Sequence, residues 1–509
     1  MESSSGRRVR NIHQAETPAE IARLTPLSVL FVFTAESYHR EAAPVVEEFV
    51  RKGAVVTVLL GFHSNHTEPI VEACRRQGIT VETVPVEAGY GAPETSVVPA
   101  APNGATKPTA GKSSTKSTIL RVWIRKTGLA RLLSLPIHLM KCLTKRRVAK
   151  AILTRHQPDA VIMGSYHSSG QIDNAMTRAC IRQSVPMYCI PNSPYLGTLA
   201  LRVARLNHLE QGMASEVIRV RYDPINRILA WLFPSWTSVI PDGNRVFYWD
   251  PLTMLAATLT GLQMNRLWLK PSLDFRKVFV HSEYSRELLL RDGYPADRIV
   301  VSGPPLLDAV VAKIGDPAKE KLLFSHVNLP VGSPFILFNV EPSAEHKYCD
   351  WNRHWRQFHE LMASLVEYVE SGLPVVLSLH PLCRLEDYRF AEEQYGVVIC
   401  TDFRIHDLYP YCSISISFPC STNLLALTFK KPLIIYDHFR ILSRDEESKI
   451  LNSIPRALLA QSASEIPGYV RELRKTLTAS GVRMQGGSIG RRATEIIVSS
   501  IQSDVQVPM

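Results

Sequence analysis

Two short stretches in the last third of the chain carry side chains suited to holding an anion. His380-Pro381 follows the apolar run PVVLSL, and Phe418-Pro419-Cys420-Ser421-Thr422 follows SISIS and opens a helical pattern. Small hydroxyl residues at a helix start leave backbone N–H groups pointing outward, and with the helix dipole these suit a phosphate. An imidazole nearby can donate to the same phosphate or to a leaving-group oxygen. The plainer alternatives are that Ser421 or Thr422 only caps its helix and that His380 only packs beneath Pro381. Both features fall at strand ends of one unit, which favours the chemical reading of His380, Pro381, Ser421 and Thr422.

Such residues need a scaffold, and apolar runs outline one. Residues 27–33 (LSVLFVF), 54–60 and 79–84 read as strands, with helical patterns over 41–52 and 68–77 ended by Gly53 and Gly78. Uninterrupted apolar runs of this length mark parallel strands buried on both faces, and the alternation with helices is Rossmann-like. Residues 91–118 break the pattern with Pro, Gly, Ala, Ser and Thr and read as a flexible surface insert. The alternation resumes with a strand at 160–163, a helix at 173–183 and a strand at 186–190. It continues with strands at 277–280 and 298–301 around a helix at 285–292. A second unit begins near 333, with strands at 335–339, 374–379, 397–400, 414–417 and 433–436, and helices at 355–370, 385–394 and 422–429. Residues 200–270 fit neither unit cleanly and hold two apolar patches, 228–236 and 252–262.

The expected fold class is α/β: two Rossmann-like domains around an interdomain cleft. The divisions are a polar tail at 1–26, an N-terminal domain at 27–305, a C-terminal domain at 306–480, and a C-terminal helix and tail at 481–509. In open α/β sheets ligands bind beyond the carboxyl ends of the strands, which here face the cleft.

Composition narrows the function classes. The 509 residues carry 58 Lys+Arg against 47 Asp+Glu, a formal charge of +11. The excess lies in one place: residues 119–155 hold ten Lys or Arg and no acid, and 91–118 add two more net charges. The rest of the chain has no positive excess, so nucleic acid is not an expected partner. In 119–155 the cations alternate with Leu, Ile, Val and Trp123, and Pro136 is expected to divide the segment into two helical pieces. Such a segment can lie on an anionic membrane, or it can be a core helix with a basic rim. No apolar run is long enough to span a bilayer, and no apolar stretch follows the basic N-terminus, so a cytoplasmic protein, peripheral at the inner face of the membrane, is expected. The nine cysteines are scattered without a C-x-x-C pair, which argues against zinc and disulfide frameworks.

Three motifs together resemble a known superfamily. Residues 279–304 (FVHSEYSRELLLRDGYPADRIVVSGP) look like the interdomain region of GT-B-type nucleotide-sugar enzymes. Residues 420–432 (CSTNLLALTFKKP) resemble the donor-side motif of that superfamily. The His-Pro and Ser-Thr pair is similar to that of bacterial glycosyltransferases using CMP-activated sugars, the polysialyl- and Kdo-transferases. The resemblance implies that His380, Ser421 and Thr422 bind the nucleotide and its phosphate. It also implies that His346 and Lys347, in the loop EPSAEHK, meet the donor phosphates, although a plain surface loop fits that stretch equally. UDP-N-acetylglucosamine 2-epimerase is the other architectural relative. The departures are Leu425, where many UDP-sugar enzymes place an acid, the missing Ser-Gly-Gly turn before it, and the missing Gly-rich turn after the first strand.

Transfer of a sugar to a hydroxyl needs a general base. Glu36 and His39 lie beyond the first strand, and His167 and Asp173 beyond the strand at 160–163; Glu36 ranks first and Asp173 second. Each is otherwise a solvated or helix-capping residue. Asp402, His406 and Asp407 cluster in one loop without a further ligand, so neither a metal nor another cofactor is expected. The expected function is a metal-independent GT-B glycosyltransferase. It would move a sugar from a nucleotide-activated donor to a cell-surface glycan or lipid-linked acceptor. The alternatives are a nucleotide-sugar 2-epimerase-like enzyme and a catalytically silent GT-B scaffold.

Overall fold

The computed structural model describes residues 26–62, 67–84, 132–164, 172–191, 195, 219–220, 224–239, 243–262, 267–269, 271–312, 314, 316–345, 349–380, 382–420, 422–438, 442, 456–480 and 492–506. The polar tail up to residue 25, the insert at 91–118 and the first part of the basic segment lie outside the described residues.

The first half runs β1 (Ser28–Phe33), α1 (Glu36–Arg51), β2 (Val55–Leu60), α2 (Thr67–Arg76), β3 (Thr80–Thr83), α3 (Leu135–His156), β4 (Ala160–Met163), α4 (Ile172–Gln183) and β5 (Met187–Cys189). It continues with α5 (Pro224–Leu232), β6 (Thr237–Val239), β7 (Arg245–Phe247), α6 (Pro251–Leu259), β8 (Lys277–Val280), α7 (Glu283–Arg291) and β9 (Ile299–Val301). Seven of these strands form one parallel sheet, ordered β3-β2-β1-β4-β5-β8-β9. β6 and β7 form a separate antiparallel hairpin. With α5 and α6 it encloses a small core around Trp236, Phe247 and Tyr248, which takes up the first apolar patch and Leu252 and Met254 of the second, while Ala256, Ala257 and Leu262 pack in the core of the first sheet.

The second half runs α8 (Leu306–Val311), α9 (Pro317–His326), β10 (Ile336–Val340), α10 (Trp351–Glu370), β11 (Val375–Leu379), α11 (Leu385–Tyr388), α12 (Phe390–Tyr395), β12 (Val398–Cys400) and α13 (Ile405–Leu408). It ends with β13 (Ile414–Ser417), α14 (Asn423–Phe429), β14 (Leu433–Tyr436), β15 (Ala457–Ala460), α15 (Ile466–Ser480) and α16 (Ala493–Gln506). Its sheet is also parallel, ordered β12-β11-β10-β13-β14-β15. The fold is α/β with two Rossmann-like sheets in the GT-B-like arrangement.

Local chemistry explains the punctuation. Gly53 at φ +79° ends α1, with its N–H on Val50 O and that of Ala54 on Phe49 O, a pairing that needs the left-handed backbone glycine tolerates. Asp350 caps α10 by accepting the Arg353 N–H at 2.7 Å. Residues 119–131 of the basic segment lie outside the described residues, and Pro136 opens a helical piece of that segment after a turn at 133–134. It sits in the first turn of α3, where a missing N–H costs nothing.

α16 returns to the first sheet. Ile497, Val498 and Ile501 join the core that holds Val29, Phe31, Val45 and Phe49. Asp308 on α8 accepts the N–H groups of Ala493 and Thr494 at 3.2 and 2.8 Å, satisfying donors that a helix start leaves orphaned. Lys277 Nζ donates to Asp504 at 2.8 Å and to Ser500 at 3.0 Å.

Candidate active site

Strand order reverses direction in each sheet between two central strands, β1 and β4 in the first and β10 and β13 in the second. The connections leave on opposite sides there, so a crevice opens at the carboxyl edge.

At the second crevice, Asn339 and Glu341 are two residues apart at the end of β10 and share a face. Asn339 Nδ2 donates to Thr422 Oγ1 at 2.9 Å and reaches Cys420 Sγ at 3.5 Å. Cys420 Sγ and Thr422 Oγ1 are 2.8 Å apart, and Ser417 bonds the side chain of Asn423. The turn 418–422 is thus tied to β10 rather than only to its own helix, and α14 spans just seven residues. Burial and the Asp437 carboxylate push the Glu341 carboxyl up to about 8, and burial with nearby Glu341 pushes the Cys420 thiol up to about 11.

His380 follows β11 on the other side of β10. Val340 pairs with Leu379 and Asn339 with Ser417, so β10 lies between the strands that lead to His380 and to Thr422. Strand spacing puts those two flanking strands roughly 10 Å apart. His380 Nδ1 accepts the Leu382 N–H at 3.2 Å, so in the neutral ring the proton sits on Nε2 as a donor.

At the first crevice, Glu36 is the first residue of α1. Tyr38 packs over the end of β4, where a Cβ on Gly164 would stand 2.5 Å from its ring; glycine is what lets the tyrosine lie there. Burial is the main influence lowering the basicity of His39, opposed by the Glu36 carboxylate. Arg40 is held below its usual range by burial first and by the facing Arg404 second. Arg404 precedes α13 of the second sheet, so the carboxyl edges of the two sheets look toward each other here. His406, pushed down to about 4 by burial, also feels Arg40.

The structure therefore places His380 and Thr422 at one crevice and Glu36 at the opposite one. Asp173 is at the start of α4 and fully buried; its carboxylate acts on Lys145 of α3. Pro381, Ser421, His346, Lys347 and His167 lie outside the described residues. Asp407 is engaged by Lys319 at 2.7 Å and Asp402 by His326 at 3.0 Å. Leu425 does not face the crevice: it packs in the apolar cluster of Leu433, Ile435 and Phe429, where an acid would be left unsolvated. Sequence reasoning missed Asn339, Glu341, Asp437 and Arg40. The one signal was the polar pair of residues 339 and 341 ending an otherwise apolar run.

No protein-family model matches the chain, and no curated protein matches it in sequence. Solved structures do match its fold. UDP-GlcNAc 2-epimerase from Neisseria meningitidis, bound to UDP-GlcNAc, aligns over 94% of this chain and 100% of its own at 14% identity and a TM-score of 0.51. A UDP-N-acetylglucosamine 2-epimerase from Listeria monocytogenes aligns over 94% and 97% at 11% identity and a TM-score of 0.51. The S. aureus MnaA–UDP complex aligns over 95% and 98% at 11% identity and a TM-score of 0.50. At these identities the likeness establishes the fold.

Proposed function

We propose that this chain is a nucleotide-sugar enzyme that holds its substrate between the two facing carboxyl edges. The observation that carries this reading is the crevice at the β10–β13 reversal, where Asn339, Thr422 and Glu341 meet beside His380. His380 Nε2 and the Thr422 hydroxyl supply hydrogen bonds to the phosphate. Glu36, on the facing edge, is the acid–base group that works on the sugar or on an acceptor hydroxyl; Asp173, buried beside Lys145, is the weaker candidate. Pro381, Ser421, His346 and Lys347 belong to the same proposed nucleotide site.

Two reactions fit this site. Sugar epimerisation has the better support from the fold, because the Neisseria neighbour is a UDP-GlcNAc 2-epimerase bound to UDP-GlcNAc, the Listeria protein is assigned to the same activity, and S. aureus MnaA is bound to UDP. Glycosyl transfer to a glycan or lipid-linked acceptor is the second reading. Its support is the Leu425 side chain, which leaves the crevice without the acid expected at that position. Incubation with a panel of UDP-, CMP- and CDP-sugars separates them. Isomerisation of the sugar selects the epimerase, donor hydrolysis or transfer selects the transferase, and binding without turnover selects a silent scaffold.

A peripheral membrane role for 119–155 is part of the proposal. Leu133, Ile137 and Met140 are exposed at the start of α3, with Lys141, Arg147 and Lys150 exposed further along. Ile228, Trp231 and Leu232 of α5 are exposed as well, Trp231 at 80%. Apolar side chains beside exposed cationic charge suit an anionic lipid surface. Among the described residues no helix is long and apolar enough to cross a membrane.

A further inference from the structure

Glu341 stands apart from the other polar groups of the β10–β13 crevice. Its Oε2 is shielded from solvent and has no hydrogen-bond partner among the described residues. A buried oxygen left unpaired costs about 1–3 kcal/mol, so its persistence at a ligand-binding edge points to a partner that arrives from outside. The position fits: the residue lies one step beyond β10, at the strand-order reversal, on the face shared by Asn339.

The surroundings decide what that partner is. Asp437, at the end of β14, accepts the Leu442 N–H at 3.0 Å and faces Glu341 with its negative charge. Cys420 and Cys349 also face it, both thiols pushed up to about 11, so they stay neutral. Among the described residues no cation opposes the shift of Glu341, Arg353 acting on Cys349 instead, and burial with the Asp437 charge favours the protonated Glu341 at neutral pH. Thr422 Oγ1 accepts from Asn339 and shares a hydrogen bond with Cys420 Sγ in which either atom could donate, while the Cys420 thiol also reaches Asn423 Oδ1 at 3.7 Å. A neutral carboxylic O–H with no partner among the described residues calls for a ligand group that accepts, and phosphate oxygen is such a group.

We infer that Glu341 is a neutral carboxylic acid that donates a hydrogen bond to a phosphate oxygen of the bound nucleotide, an inference that rests on the nucleotide-sugar reading. The carboxyl stays protonated in the complex, because an ionised one would set a second negative charge against both Asp437 and the phosphate. Binding then has a pH signature opposite to that of a carboxylate accepting from sugar hydroxyls.

The test is calorimetric titration of the full chain with UDP-GlcNAc and with CMP, from about pH 6.5 to about pH 9.5, on wild type, Glu341→Gln and Glu341→Ala. Wild-type affinity is expected to fall by about fivefold or more above pH 8, as the proton leaves. Glu341→Gln, which keeps a neutral donor, should hold the neutral-pH affinity with a flat profile. Glu341→Ala should bind roughly tenfold more weakly throughout, the effect of losing one hydrogen bond to a charged group. Affinity that rises with pH, or a wild-type slope shared by Glu341→Gln, overturns the assignment and leaves the nucleotide reading standing. Failure of every wild-type titration overturns the nucleotide reading and the phosphate contact with it. Infrared difference spectra of the unliganded protein read the neutral acid separately. A carboxylic C=O band that disappears at alkaline pH in wild type and is missing in Glu341→Gln supports it, and no such band overturns it.

Discussion

Asn339 Nδ2 donates to Thr422 Oγ1 at 2.9 Å, a bond between residues 83 positions apart that joins the ends of two adjacent parallel strands. It fixes the turn that follows β13 against β10, so the two residues should act as one unit. Asn339→Ala and Thr422→Ala are each expected to weaken nucleotide binding by about tenfold. The double variant should lose little more than either single one, since removing one partner already breaks the bond. Titration calorimetry of the three variants reads the coupling, and fully additive losses would show that the bond is not part of the site.

His380→Ala should lower turnover by about 100-fold or more, the scale of a lost proton donor in the reacting complex. Nucleotide affinity should fall less, and the melting temperature should stay close to wild type because His380 is only half-buried. Rates with the substrate found in the nucleotide-sugar panel, set beside a thermal melt, check both halves.

Glu41 on α1 meets His281 at 3.6 Å, next to the Leu306 backbone. Burial pushes Glu41 up to about 8 and His281 down to about 4, so both are neutral between those values. The stability tied to Glu41 is complete below its ordinary carboxylate range and is lost as pH rises through about 8. That tied to His281 is complete above its ordinary value and is lost as pH falls through about 4. Glu41→Gln should therefore melt higher than wild type in alkaline buffer, while near neutrality the difference should shrink. Urea midpoints across pH provide the measurement, and parallel curves for the two proteins would contradict it.

Asp308→Ala removes the acceptor for the first N–H groups of α16 and is expected to destabilise the first domain by about 1 kcal/mol or more. Deleting residues 492–509 should cost several times that, since Ile497, Val498 and Ile501 are each worth about 1.5–3 kcal/mol of burial. Hydrogen exchange should show the loss in β1 and β2, far from the deletion in sequence, with β10 and β13 unchanged.

The cations of α3 divide into two groups. Arg146, though exposed, donates to Thr260 O at 3.3 Å, and Lys145 is half-buried near Cys142 and Asp173, so replacing them should disturb the packing of α3 on α6 and α4. Lys141, Arg147 and Lys150 are exposed. Changing these three to Gln should weaken binding to phosphatidylserine vesicles at low salt by about 1 kcal/mol per charge and leave the melting curve unchanged. Wild-type protein that ignores such vesicles at low salt would rule out the membrane surface.

The strands were legible because a parallel strand buried on both faces writes itself as an apolar run, as 28–33 and 414–417 do. The helical pattern read at 41–52 captures only the later part of α1. The helix begins at Glu36 with Pro44 in its interior, which moves Glu36 from a loop onto a helix start. The hairpin at 237–247 was illegible because its strands are three residues each and depend on packing against α5 and α6. In the candidate site, His380 and Thr422 could be found from local motifs. Asn339 and Glu341 could not, because what distinguishes them is their contacts across strands, and periodicity along one strand carries no information about a neighbour 80 residues away.

The return of α16 to the first sheet sets an order of events during synthesis. Side chains that cover one face of the first sheet leave the ribosome only after the second domain, so that face waits, apolar and open, while nearly the whole second domain is made. The first domain cannot close in step with translation. Its nascent form must rely on prompt synthesis of α16 or on a chaperone's cover, and a chain stopped before α16 would be damaged in its first sheet.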